Sequence, residues 1–340
     1  MTDPTLALAS DYAVWTAIVV LALALLAFCV HLAVTGSARE RRADRLVRER
    51  ERVGAAVGGA DPADRAGADD VLGDHGRAHP TREADARTGT PSRRWGVVGL
   101  QLTWLATFAV LGGTVLRALS VSRAPLGNMY EFALGTVSFA LVIYSVWALR
   151  KDRLWLGAFV VGPALVILGA AKLSWYTEAS QLMPALDNIW LVIHVTIAVL
   201  ATALFVIGAA LAVAYLLRDR AERRGEVSGW LSALPRATAL ERMTYGMHIV
   251  AFPLWTFTVI AGAIWAEQAW GRYWGWDPKE TWSFVIWVVY AAYLHARATT
   301  GWSTRQATWV ALVGFVCLIL NYTAVNLLMT GLHSYSGVST

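Results

Sequence analysis

Runs of about twenty mostly apolar residues, parted by short polar or arginine-rich connectors, recur along most of this chain. A run of that length crosses the roughly 30 Å hydrocarbon core of a bilayer as one α-helix. In lipid every backbone N–H and C=O must be satisfied within the protein, so only helices or a closed barrel are viable. Apolar–polar alternation in ~10-residue segments, the mark of a membrane barrel, does not occur. The runs predict eight spans, at residues 12–34, 95–119, 131–149, 154–173, 188–217, 245–266, 281–298 and 307–329. Only 16% of residues are charged, against about 25% in a soluble protein. The predicted fold class is an all-α polytopic membrane protein, multi-pass in a bacterial plasma membrane.

Charge in the connectors predicts orientation. Residues 38–53 are rich in arginine. Arg150, Lys151 and Arg153 follow the third span, Arg218, Arg220, Arg223 and Arg224 the fifth, and Arg297 and Arg305 the seventh. These are alternate connectors, and the positive-inside bias makes them cytoplasmic. Both termini are then extracytoplasmic, with segments 120–130, 174–187, 267–280 and 331–340. The chain divides into an N-terminal span (1–35), an Arg-rich cytoplasmic linker (36–94) whose low hydrophobicity predicts disorder, and a membrane domain (95–340). The first apolar run lacks a basic leader and holds acidic flanks at Asp3 and Asp11, so it reads as a retained span. The net charge of +5 comes from arginines that flank spans and suit anionic lipid. They build no nucleic-acid motif. Cys29 and Cys317 form no CxxC or CxxCH, which excludes a thioredoxin-like centre and covalent c-type haem on this chain.

One predicted extracytoplasmic segment departs from ordinary membrane composition: WAEQAWGRYWGWDPKETW, residues 265–282. Tryptophan gathers at bilayer interfaces, which explains one or two at a helix end but not Trp265, Trp270, Trp274, Trp276 and Trp282 together. Such a cluster offers a wide, rigid apolar surface with few rotors to immobilise. It suits a flat apolar macrocycle, and Arg272 and Lys279 add positive charge for its acidic groups. Asp277, Pro278 and Glu280 fit the N-cap, N1 and N3 positions of a capping box that opens the seventh helix.

Three histidines stand out. His194 lies about 9 Å inward from the outer boundary of the fifth span, and His333 follows the eighth on the same side. Two imidazoles and a tryptophan platform on one face fit bis-histidine ligation of a porphyrin iron. His295 lies roughly 22 Å deeper than Glu280 along the seventh helix, out of reach of that pair. An ionisable residue in a span is costly and usually functional. His248 reads as packed, and His75 and His79 as solvated. A redox subunit with paired b haems needs histidines at matching depth, which His194 and His295 do not share.

The segment WGRYWGWDPKETW (270–282) resembles the WWD signature of haem-handling proteins. With APLGNMYEF (124–132), WLVIHV (190–195), YLHAR (293–297) and GLHSY (331–335), residues 95–340 resemble the CcsA/ResC family (CcsB in actinobacteria) of System II cytochrome c assembly. The resemblance implies that haem b passes from an inner site at His295 to an outer site between His194 and His333. There Trp270, Trp274, Trp276 and Asp277 line the platform. It implies presentation of haem to the CxxCH thiols of apocytochrome c, with a ResB/CcsB-type membrane partner, as part of a haem lyase. No catalytic residue beyond haem positioning is implied. The alternative is a haem exporter or chaperone that serves a separate ligase.

Overall fold

The computed structural model describes residues 3–58, 91–150, 152–181 and 188–333. Nine α-helices occur among them: α1 (Pro4–Gly58), α2 (Pro91–Val121), α3 (Met129–Arg150), α4 (Gly157–Ser174), α5 (Ile189–Arg224), α6 (Ala237–Trp270), α7 (Pro278–Ala298), α8 (Thr304–Tyr322) and α9 (Ala324–Leu328). Single 3-10 turns, Leu154–Leu156 and Gly229–Ala233, precede α4 and α6. No strand appears among the described residues.

Each predicted span has its helix. Seven are long and apolar enough to cross a membrane, with α8 and α9 forming the last of them. The eighth, α7, has 21 residues, about 31 Å of helix, but falls short in apolarity. Its tryptophans and tyrosines, with Lys279, Glu280, His295 and Arg297, stand where the other helices carry aliphatic residues.

The linker differs from expectation. Residues 36–58, expected to be disordered, continue α1 as helix. Arg, Glu, Ala and Leu are good helix formers, and extending an existing helix avoids the cost of nucleation. The extension is also held: Arg39 donates to the Ser232 carbonyl, and Glu40 accepts from the Gly229 N–H. Residues 59–90 of the linker lie outside the described segments. Val14, Leu21 and Phe28 of the first span share a core with α3 and α4.

Helix α5 is the axis. Most of its span is buried, and it contributes to both main cores, one with α1–α4 and one with α6–α8. Ala201, Ala203, Ala209, Ala210, Ala212 and Ala214 make this possible. Small side chains let neighbouring backbones approach, which is how helices gain packing energy in lipid.

Alternation along the chain brings the Trp-rich loop, the α2–α3 loop and the start of α5 to one end, hereafter the loop end. That end is stitched by charge. Glu131, fully buried, accepts from Arg117 Nε (2.9 Å), from both terminal nitrogens of Arg123 (2.9 and 3.0 Å) and from the Gly127 N–H (2.7 Å). Arg117 and Arg123 also donate to the Thr177 and Ser180 carbonyls. One carboxylate thus fixes the α2–α3 loop against the segment after α4.

Candidate functional site

A cavity of about 1250 Å³, counting its open mouth, lies at the loop end among α3, α5, α6, α7 and α8. Its wall is mostly apolar or aromatic, and it holds both His194 and His333.

His194 sits on the second turn of α5. Asn188 starts this helix by accepting from the Trp190 N–H at 2.8 Å. His194 Nδ1 donates to the Thr258 carbonyl of α6 at 2.9 Å. The ring reaches that carbonyl because residue 262 is glycine: a Cβ there would lie 2.7 Å from His194 Cε1. With Nδ1 committed as a donor, Nε2 carries the lone pair. An outer hydrogen bond of this kind sets the tautomer of a metal-ligating histidine.

His333 reaches the cavity from the far end of the chain and is held in the same manner. Its Nδ1 donates to Asp277 Oδ2 at 2.9 Å, while Asp277 Oδ1 accepts from the Leu332 N–H at 2.8 Å. Gly331 permits the approach, since a Cβ would stand 2.5 Å from Asp277 Oδ1. Burial raises the Asp277 carboxyl pKa, but the bonds from His333, Leu332 and the Lys279 amide outweigh it and hold the group below the ordinary carboxylate range. The predicted capping box is also present, with Glu280 accepting from the Asp277 N–H at 3.1 Å. Asp277 therefore both starts α7 and orients His333.

Tryptophans fill the space around the two rings. Trp265, 2% exposed, lies parallel to His194 (centroids 6.1 Å apart, 11°) and edge-on to His333 (5.6 Å). Trp270 packs edge-on to Trp265 (4.7 Å) and to His333 (4.8 Å). Trp274 lines the cavity. Trp276 does not: it is 65% exposed at the rim, against Trp274 and Phe284, with φ of 59°. Positive φ is uncommon for so large a residue. Of the expected platform, Trp274 forms wall, Trp270 backs His333, and Trp276 points to the surroundings. Trp255 and Tyr273 also line the cavity. Tyr273 was visible between the tryptophans, whereas nothing local marks Trp255, which lies mid-helix in α6.

His295 is not brought to this site. It lies on the exposed stripe of α7 with Phe284, Val288 and Ala292, opposite the buried Ile286, Tyr290 and Tyr293. His248 is buried, its Nδ1 donating to the Thr244 carbonyl of its own helix at 2.7 Å.

Comparison with known proteins gives a consistent picture. A family model described as "Cytochrome C assembly protein" matches residues 126–333. The "Cytochrome c biogenesis protein CcsA" of Guillardia theta is 35% identical over 259 residues, covering 70% of this chain and 85% of the relative. The protein of the same description from Parasynechococcus marenigrum is 34% identical over 270 residues, covering 71% and 87%. The solved structure "Cytochrome c Heme Lyase CcmF" matches with a TM-score of 0.57 at 17% identity, over 95% of this chain and 47% of that one, which is a likeness of fold. This chain spans about half that protein's length.

Proposed function

Because the chain belongs to the cytochrome c assembly protein family, we propose that it holds haem b as substrate in the loop-end cavity, between His194 and His333, and presents it to apocytochrome c. The observation that carries this reading is the matched treatment of two imidazoles in one aromatic cavity. Each has Nδ1 committed to a carbonyl or carboxylate, which leaves Nε2 as the atom able to ligate iron. Trp265 and Trp274 supply flat apolar surface for the ring.

The reaction is the addition of a cysteine S–H across a haem vinyl group. A C–S bond forms, the hydrogen goes to the other vinyl carbon, and nothing is oxidised or reduced overall. The work left to the protein is positioning, which removes much of the entropic barrier between two reactants. Asp277 belongs to that task as a positioning residue for His333.

His295 takes a separate role in this proposal. It serves an inner haem site completed by a ResB/CcsB-type membrane partner, which supplies the second ligand. Its exposure on α7 supports this, because an imidazole facing lipid is unfavourable and one facing a partner is not. The loop end is extracytoplasmic and the arginine-rich end cytoplasmic, in a bacterial plasma membrane, as the connector charges favour. The first span (1–35) and the linker (36–94) lie outside the haem-handling unit (95–340), which contains the WWD segment 265–282.

The deciding measurement is an optical spectrum of the detergent-purified chain co-expressed with its partner, before and after dithionite. Loss of the outer site's share of the bis-histidine bands in His194→Ala and in His333→Ala, with only the inner site's absorbance left, is the expected result. A haem-free preparation from cells with normal cytochrome c would refute the proposal.

A further inference from the structure

We infer that Lys279 recognises a carboxylate of the cavity's ligand, so that the site selects a porphyrin bearing free acid groups. The inference rests on the haem reading above and adds what the cavity demands of the rest of the molecule. Lys279 lines the cavity on the first turn of α7. Its Nζ donates to the Asn321 carbonyl at 2.8 Å and to Asn326 Oδ1 at 2.9 Å. Both acceptors are neutral, and an ammonium has three hydrogens to donate.

The nearby acids are already committed. Glu280 accepts from Arg272, from the Gly275 N–H and from the Asp277 N–H. Asp277 holds Leu332 and His333. No ion pair to Lys279 occurs among the described residues, whereas Arg272 has Glu280. Asp277 acts on Lys279 only from beyond ion-pair distance, and an ammonium in a mostly apolar cavity without a contacting anion is costly. Capping α8 at Asn321 accounts for its hydrogen bonds but not for its charge, since a neutral donor would cap as well. An anionic substituent placed there offsets the charge, and the haem ring carries two.

The test compares haem with haem dimethyl ester, whose carboxylates are blocked, on the full chain with its partner. Charge-assisted hydrogen bonds are about twice as strong as neutral ones, so wild type is expected to bind the ester about tenfold or more weakly. Lys279→Gln keeps a donor for the two asparagines but loses the charge. It is expected to bind both compounds alike while retaining bis-histidine bands. Arg272→Gln is expected to keep the preference. Asn326→Ala, which removes an acceptor and leaves the charge, is also expected to keep it. Equal binding of both compounds by wild type overturns the inference, as does an undiminished preference in Lys279→Gln. Loss of preference in Asn326→Ala would mark the lysine as a strut and overturn it too. Normal haem binding in His194→Ala and His333→Ala would instead sink the site assignment, a result read independently of the ester.

Discussion

His194 and His333 come from distant parts of the chain, yet each is aimed by a hydrogen bond at Nδ1 and a glycine that lets it approach. These contacts make strong demands on single residues. Gly262→Ala puts a methyl 2.7 Å from the His194 ring. It is expected to displace the imidazole and weaken haem binding about 10- to 100-fold, the usual effect of disturbing a ligand's outer partner, as read by titration of the reduced spectrum. Asp277→Asn should act similarly on His333, because an amide no longer presents two acceptor oxygens to Leu332 and the ring. The pH dependence of this contact has a definite sign. The folded carboxyl lies below its ordinary value, so its contribution is present above about pH 3.9 and is lost as pH falls through the lower folded value. Protection of the Leu332 amide from hydrogen exchange, corrected for the intrinsic rate, should therefore persist to about pH 4 and fail in stronger acid. The histidines, the tryptophan cluster and Asp277 were legible in the sequence, because composition and spacing mark them. Gly262 and Trp255 were not, since their importance lies in the distance between α5 and α6.

At the scale of elements, the capping box was legible because capping is local chemistry, written within four consecutive residues. The helical course of residues 36–58 was not. Composition argued for a solvated linker, and the contacts that hold it come from the turn before α6, some 190 positions away. The anchoring of the α2–α3 loop also escaped the sequence. Glu131 appeared as the first residue of a span and within the APLGNMYEF segment, with no role of its own, yet it binds two arginines and a backbone amide on a loop that forms one wall of the cavity. Removing one member of a buried ion group leaves the others uncompensated, at a cost of about 3–5 kcal/mol. Glu131→Ala is thus expected to lower the thermal midpoint of the purified protein and weaken haem binding together. An unchanged midpoint would show that the arginines find other partners.

For the whole molecule, a helix stands at each of the eight predicted positions, but only seven are long and apolar enough to cross a membrane. Helix α7 falls short of the other spans in apolarity because three duties fall on it. Its first turn closes the loop end, its inner face packs Ile286, Tyr290 and Tyr293 into a core, and its outer stripe carries His295. The duties separate by face, so they separate by mutation. Among the described residues His295 is not part of the α6–α8 core and its side chain makes no hydrogen bond, while its backbone carbonyl accepts from Thr299. His295→Ala is accordingly expected to leave the stability of the isolated chain within about 0.5 kcal/mol of wild type, as for surface changes generally, with little change in its thermal midpoint. It should also leave the bands of the His194–His333 site intact in chains loaded with haem after purification. In cells that supply the partner, the same variant should lose most holocytochrome c, scored by haem staining, because the inner ligand is missing. Tyr290→Ala, one turn away on the buried face, should do the reverse and lower the midpoint first, since truncating a buried aromatic costs about 3–5 kcal/mol. If His295→Ala instead unfolded the isolated chain, the imidazole would be a packing residue, and the division of α7 into a structural face and a partner face would fail.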